Sequence, residues 1–260
     1  MVKRGALIVF EGCDRAGKST QALRMVRRIQ AHGEAAELIA FPGTEATRRP
    51  SIFLFPPFET LLDSSSPDRS SDLGKFIDQY LKGEVEMGPR EAHLVFAANR
   101  QALVETMREK LLHGTHLVVD RYTYSGIAYT LAKGLDVSLE WAKMHDIGIL
   151  KPDRVFYFDL SPDEARKRSG FGDERLEAYD YQCTVYKFMQ TLGSQNADIW
   201  KVIDASKSMD EVSADVWDLM EPVLGSAASK PVEYIELEAP PLGIWLRNYV
   251  LGLAKWIGLL

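Results

Sequence analysis

The stretch Phe10-Glu11-Gly12-Cys13-Asp14-Arg15-Ala16-Gly17-Lys18-Ser19-Thr20-Gln21 constrains this chain more than any other. Its core is Gly-x4-Gly-Lys-Ser, running from Gly12 to Ser19. Glycines at these positions let consecutive backbone N–H groups turn inward as an anion nest. The helix that follows adds partial positive charge at its N-terminus. The context fits. Ala6 to Phe10 is a continuous apolar run and reads as a buried parallel strand. Lys18 to His32 reads as a helix with Leu23, Val26 and Ile29 on one face and Gly33 as its stop. Lys18 is then placed to reach the β- and γ-phosphates of a nucleotide, and Ser19 to offer its hydroxyl to Mg²⁺. Gly12, Cys13, Asp14, Arg15, Ala16, Gly17, Lys18, Ser19 and Thr20 are the candidate ATP-binding residues of the loop.

Such a loop needs glycines and a lysine, yet it also carries Asp14 and Arg15. A phosphoryl group leaving ATP spreads negative charge over three oxygens, and an arginine beside it is worth about 10³–10⁵ in rate. Arg15 is therefore a candidate catalytic residue built into the loop, with Asp14 turned toward a second substrate. The alternative is a local ion pair that shapes the loop.

Further apolar runs at Ala35 to Phe41, Thr115 to Asp120, Asp153 to Leu160 and Asp198 to Asp204 give five strands in all. Helical spacing falls between them: Leu73, Phe76, Ile77, Tyr80 and Leu81 behind Ser70 and Ser71, and a long helix from Pro89 to His113 closed by Gly114. Alternating strands and helices predict an α/β fold, a parallel five-stranded sheet with helices on both faces. A net charge of −6 argues against broad nucleic-acid binding. Two cysteines, Cys13 and Cys183, cannot make a disulfide framework and suit a reducing compartment, hence a cytoplasmic residence. The N-terminal apolar run is too short for a signal peptide, and no membrane span is expected.

The loop from Gly12 to Gln21 resembles that of thymidylate kinases of the eukaryotic type, which convert dTMP and ATP to dTDP and ADP. The resemblance continues through Asp68-Arg69-Ser70, Phe96-Ala-Ala-Asn99-Arg100, Asp120-Arg121-Tyr122 with Ser125, Gly126 and Tyr129, then Phe171 to Arg175, and Asp204 to Lys207. It covers residues 4 to 224 and implies the P-loop nucleoside monophosphate kinase fold. By resemblance, Arg69 and Arg121 grip the acceptor phosphate, Arg100 reaches the thymine edge, and Phe96 stacks on the ring. Asp14 accepts the deoxyribose 3′-hydroxyl proton, and Tyr129 crowds the 2′ position. Asp120 lies near Mg²⁺, Arg175 contacts phosphates from a lid spanning 166–178, and Ser206 and Lys207 contact adenine. A homodimer is implied as well. Arginines from several loops are also what the chemistry demands, because two dense phosphates must be oriented at close range. Each residue has a plainer alternative: core packing for Phe96 and Tyr129, structural ion pairing for Arg100 and Arg121, a strand-end cap for Asp120, a solvated loop for Arg69 and Arg175, a turn for Ser206 and Lys207. Gln101 and Leu176 stand where the family commonly has aromatic residues.

Two segments depart from this plan. Joining Phe41 to Pro67 would restore "FPDRSS", so 43–67 reads as an insertion of 25 residues, looped out or a retained intron. Lengthening a loop from about 5 to about 30 residues costs only about 1.6 kcal/mol of closure entropy. Residues 225–260 form a C-terminal extension that opens with linker-like Gly225 to Ser229. Its end, Leu246 to Leu260, has an interfacial amphipathic reading and a plainer one, a helix against the body or a mobile tail. The rival functions are a deoxynucleoside kinase, whose acceptor lacks a phosphate, and an inactive nucleotide-binding relative. A GTP switch is excluded, since Asp120 runs into Arg121-Tyr122 rather than Asp-x-x-Gly.

Overall fold

The computed structural model describes residues 4–41, 72–168 and 176–236. The insertion at 43–67, Arg69, Ser70 and Ser71, Arg175 with most of the expected lid, and the tail from 246 lie outside the described residues. The strands are β1 (Leu7–Glu11), β2 (Ala36–Ala40), β3 (His116–Asp120), β4 (Arg154–Asp159) and β5 (Trp200–Asp204). They form one sheet in the order β2-β3-β1-β4-β5 with every neighbouring pair parallel. All five coincide with apolar runs read from the sequence.

Between and after the strands run α1 (Lys18–Ala31), α2 (Asp72–Leu81), α3 (Pro89–Ala102), α4 (Val104–Leu112), α5 (Thr123–Leu131), α6 (Leu139–Met144), α7 (Pro162–Ala165), α8 (Tyr179–Gln195) and α9 (Met209–Ala227). Alternate residues of β1 feed two cores. Ile8 and Phe10 pack with Met25 and Ile29 of α1 and Val216 and Met220 of α9. Leu7 and Val9 pack with Met107 of α4, Ile127 of α5 and Val185 of α8. β1 is central and buried on both faces, which is why it reads as an unbroken apolar run. Its C-terminal end opens into the crevice where open α/β sheets take ligands.

Three readings need correction. The long helix from Pro89 breaks at Leu103, whose N–H bonds to Arg100 O at 3.2 Å, one residue short of the α-helical partner. Ala97, Arg100, Met107 and Leu111 are buried on both sides of the break, and Leu103 and Val104 pack on the core between them. The three- and four-residue spacing therefore runs through the break and hides it. On α1 the buried face is Ala22, Met25, Val26 and Ile29, while Leu23 is 38% exposed. Leu23 lies about 100° around the helix from Ala22. Finally, Gly225 and Ser226, expected in a linker, sit in the last turns of α9, where Ala227 is buried. Beyond it the chain pairs back onto the body, with Ile235 N–H donating to Ile149 O and Lys151 N–H to Glu233 O.

Candidate active site

Strand β1 ends at Glu11 and α1 begins at Lys18, so residues 12–17 make the whole turn between them. Gly12 has φ 148° and Gly17, the N-cap of α1, has φ 91°. A Cβ on Gly12 would stand 2.7 Å from the Phe158 carbonyl oxygen of β4, so the loop passes too close to the sheet for any side chain. Arg15 also adopts left-handed backbone, φ 63°, at a cost of about 1–2 kcal/mol for a residue with a Cβ. The Lys18 ammonium is buried and donates to Cys13 O at 2.7 Å. Burial, with Arg121 nearby, pushes its pKa down to about 8, so a phosphate beside it supplies the negative charge this position favours.

The two charged loop residues face different partners. Asp14 accepts from the Arg121 guanidinium, from Tyr129 OH at 2.7 Å and from Gln182 Nε2 at 2.7 Å. Burial alone would raise the Asp14 carboxyl, but Arg121, Lys18 and the two hydrogen bonds outweigh it and hold the pKa below the ordinary value. Arg121, itself left-handed at φ 64°, also donates to Gly12 O and Ser125 Oγ at 3.3 Å and lies 5.3 Å over the Tyr129 ring. Arg15 instead makes a two-point pair with Glu177, Nε to Oε1 at 2.9 Å and Nη2 to Oε2 at 3.2 Å. Arg168 ties this side together, donating to Arg15 O and Ala205 O, both at 2.7 Å.

Ser19 donates its hydroxyl to Asp120 Oδ2, and Asp120 Oδ1 is buried with no hydrogen-bond partner among the described residues. An orphaned carboxylate oxygen beside a hydroxyl at the end of a phosphate loop is a donor set suited to Mg²⁺, which takes one or two protein oxygens and fills the rest with phosphate and water.

These groups surround a cavity of about 550 Å³. Asp14, Arg15, Lys18, Ser19, Phe96, Arg100, Asp120, Arg121, Ser125, Gly126 and Tyr129 all line it. Arg100 is buried and held two-pronged by Asp146, at 2.8 and 2.9 Å. It lies so close to α5 that a Cβ on Gly126 would sit 2.8 Å from its Nη2. The Phe96 ring meets Tyr80 edge-on at 6.3 Å. Ser206 and Lys207 do not line the cavity: Ser206 bonds Asp204, and Lys207 pairs with Asp215 at 2.7 Å.

Sequence reasoning missed Glu11, Asp146, Arg168, Glu177 and Gln182. Glu11 carries a signal, an acid that directly follows the apolar run ending at Phe10 and continues its strand. Arg168 and Glu177 lay inside the expected lid without assigned partners. Asp146 and Gln182 carry no motif.

A five-stranded parallel sheet, a phosphate loop at the end of its central strand and arginines converging on that loop define a P-loop phosphotransferase of the nucleoside monophosphate kinase fold. Comparison with known proteins narrows the class. A family model described as thymidylate kinase matches residues 61–216. Curated thymidylate kinases from Caenorhabditis elegans and Danio rerio are 40% and 39% identical over 234 and 230 residues. Those matches cover 90% and 88% of this chain and 97% and 96% of the relatives. The human thymidylate kinase is 38% identical over 230 residues, covering 88% of this chain and 96% of its own. The solved thymidylate kinase of Candida albicans superposes with a TM-score of 0.72 at 29% identity, over 90% of this chain and 100% of its own. The chain belongs to the thymidylate kinase family.

Proposed function

We propose that this protein transfers the γ-phosphoryl group of ATP to the phosphate of dTMP, giving dTDP and ADP, a step in dTTP synthesis. The observation that carries the reading is the division of two consecutive loop residues. Asp14 joins Arg121 and Tyr129, while Arg15 faces Glu177 across the loop. A loop that held only ATP would need neither. Arg15 is the transition-state cation, released from Glu177 when a phosphoryl group offers more negative charge. Lys18 and the backbone from Gly12 to Thr20 hold the ATP phosphates, with Arg175 closing from the lid and Ser206 and Lys207 near adenine. Arg121 and Arg69 bind the acceptor phosphate beside Ser125 and Gly126. Phe96 stacks on thymine, Arg100 addresses its edge, Asp14 accepts the 3′-hydroxyl proton, and Tyr129 crowds the 2′ position.

Ser19 and Asp120 would hold the Mg²⁺ that arrives with ATP, and that ion would neutralise charge between the β- and γ-phosphates. Among the described residues no cluster of three or more His, Cys, Asp or Glu side chains is placed to hold a metal. Two protein oxygens are what a nucleotide-borne Mg²⁺ needs. No helix among the described residues is long and apolar enough to cross a membrane. Both cysteines are free, which suits a reducing compartment such as the cytoplasm. The protein works as a homodimer; Leu94 on α3, 43% exposed, is the kind of apolar side chain such an interface covers. Sedimentation should then give twice the 29.2 kDa of one chain.

Coupled ADP release measured with dTMP, dUMP, AMP and thymidine tests the reading. dTMP should be the best acceptor; turnover of thymidine with none of dTMP would establish a nucleoside kinase instead. Deleting 43–67 should preserve dTMP turnover if that segment is looped out, and peptides of the native protein that read Phe41-Pro-Asp68 would mark it as intronic.

A further inference from the structure

Glu11 is fully buried at the end of β1 and has no part in the roles above. Its carboxylate is nonetheless filled by donors from one place. Oε1 accepts from Tyr122 N–H at 2.9 Å and Ser125 N–H at 3.1 Å, and Oε2 accepts from Ser125 Oγ at 2.5 Å. These are the N-cap residue and the third residue of α5, and Tyr122 offers no side-chain cap of its own. A Ser, Thr or Asp at the N-cap would normally take the N–H of the third residue. Here a carboxylate on another strand takes it, 114 positions away in sequence.

The capped turn contains the acceptor arginine. Arg121 leaves β3 with its N–H bonded to Phe10 O at 2.9 Å, then bends through φ 64° before α5 begins. A left-handed non-glycine residue persists only where its surroundings over-determine it. Phe10 fixes that turn on one side and Glu11, the next residue, fixes it on the other. With the turn so held, Arg121 reaches Asp14, Gly12 O and Ser125 Oγ at once.

We propose that Glu11 is a positioning residue for the acceptor arginine: by capping α5 from β1 it holds the left-handed turn that aims Arg121 into the acceptor site. The negative charge also suits a helix N-terminus and the guanidinium beside it. Burial pushes the Glu11 carboxyl upward, while the hydrogen bonds from Ser125 and the Arg121 charge oppose that push. The inference rests on the reading of Arg121 as a ligand of the dTMP phosphate.

Steady-state kinetics of Glu11→Ala and Glu11→Gln, with melting temperatures, test it. Gln keeps an oxygen for the two backbone N–H groups; Ala keeps nothing. Glu11→Ala should raise KM for dTMP about tenfold and leave KM for ATP within twofold, and Glu11→Gln should recover most of the loss. In an Arg121→Ala background Glu11→Ala should change KM for dTMP by less than twofold, because the effect passes through that arginine. Should the Ala variant not fold at the assay temperature, Glu11→Asp, shorter by one methylene, is read in its place. An unchanged KM for dTMP in a folded variant, parallel rises in both KM values, or full additivity with Arg121→Ala would overturn the proposal. If the wild-type protein does not turn over dTMP, the acceptor reading falls and the inference with it. Normal wild-type turnover with an unaffected variant sinks the inference alone.

Discussion

The donor and acceptor sides of the phosphate loop are built differently. On the donor side, Gly12 to Ser19 are consecutive, and the cation Arg15 is about a third exposed, with its side chain 31% accessible. On the acceptor side, Asp14 is held by Arg121, Tyr129 and Gln182, which lie 107, 115 and 168 positions away. Arg100 and Asp146 are only 2% and 1% exposed. The lesson is about exchange. Arg15 is partly solvated while Glu177 is buried, so the guanidinium can move to a phosphoryl group without leaving water, and the Glu177 carboxylate is what the exchange leaves behind. A buried, fully paired network is costly to disturb and keeps its geometry before the substrate arrives.

The largest effect expected from this contrast is on stability. Asp146→Ala strands the Arg100 guanidinium in the interior and should cost about 3–5 kcal/mol, a fall in Tm on the order of 10 °C. Calorimetry checks it, and Glu177→Ala on the donor side should shift Tm far less. Equal losses would erase the distinction. Next in size, Lys18→Met removes the proposed donor to the ATP phosphates and should lower kcat by about 10²–10³ with KM for dTMP nearly unchanged. A rise in that KM would show that the two sides are not separable at Lys18.

A third test reads the acceptor wall through pH. His93 donates Nε2–H to Ala142 O at 3.1 Å, and its Nδ1 lies 2.8 Å from Thr130 Oγ1, a hydroxyl able to donate to a neutral ring. Burial, with Arg100 nearby, pushes its pKa down to about 4 from an ordinary 6.5. The unfolded chain binds the proton first as pH falls, so this contribution is complete above about pH 6.5 and drains toward pH 4. Urea unfolding at pH 7.5 and 4.5 should show about 2–3 kcal/mol of loss from this residue, absent in His93→Gln. The smallest effect is Tyr129→Phe, which removes one hydrogen bond to Asp14. It should cost about 1 kcal/mol, roughly fivefold in KM for dTMP.

The same contrast explains what could be read from the sequence. The donor side is local, so the spacing of Gly12, Gly17, Lys18 and Ser19 carries its geometry in a single stretch. The central strand was legible because a parallel strand buried on both faces must be apolar, as Leu7 to Phe10 are, whereas the edge strands β2 and β5 carry Glu37 and Lys201. Arg121, the proposed acceptor arginine, is marked only by its motif, as are Asp14, Ser125 and Tyr129 that it bonds, while Gln182 and Asp146 behind them carry none. Gln182 sits on α8 with nothing in its neighbourhood to mark it, and Asp146 follows α6 as an ordinary acid. Their roles come from long-range packing, which no local pattern encodes. The break at Leu103 was hidden for a related reason: tertiary packing continued the periodicity across it.

The central claim is that Asp14 and Arg15, adjacent in the chain, serve opposite substrates. Measuring kcat and KM for dTMP on Asp14→Asn and Arg15→Ala side by side tests it most directly. The account predicts that Arg15→Ala loses about 10³-fold or more in kcat with KM for dTMP within twofold, while Asp14→Asn raises KM for dTMP at least tenfold. Undiminished turnover by Arg15→Ala, or the same kinetic signature from both variants, would contradict it.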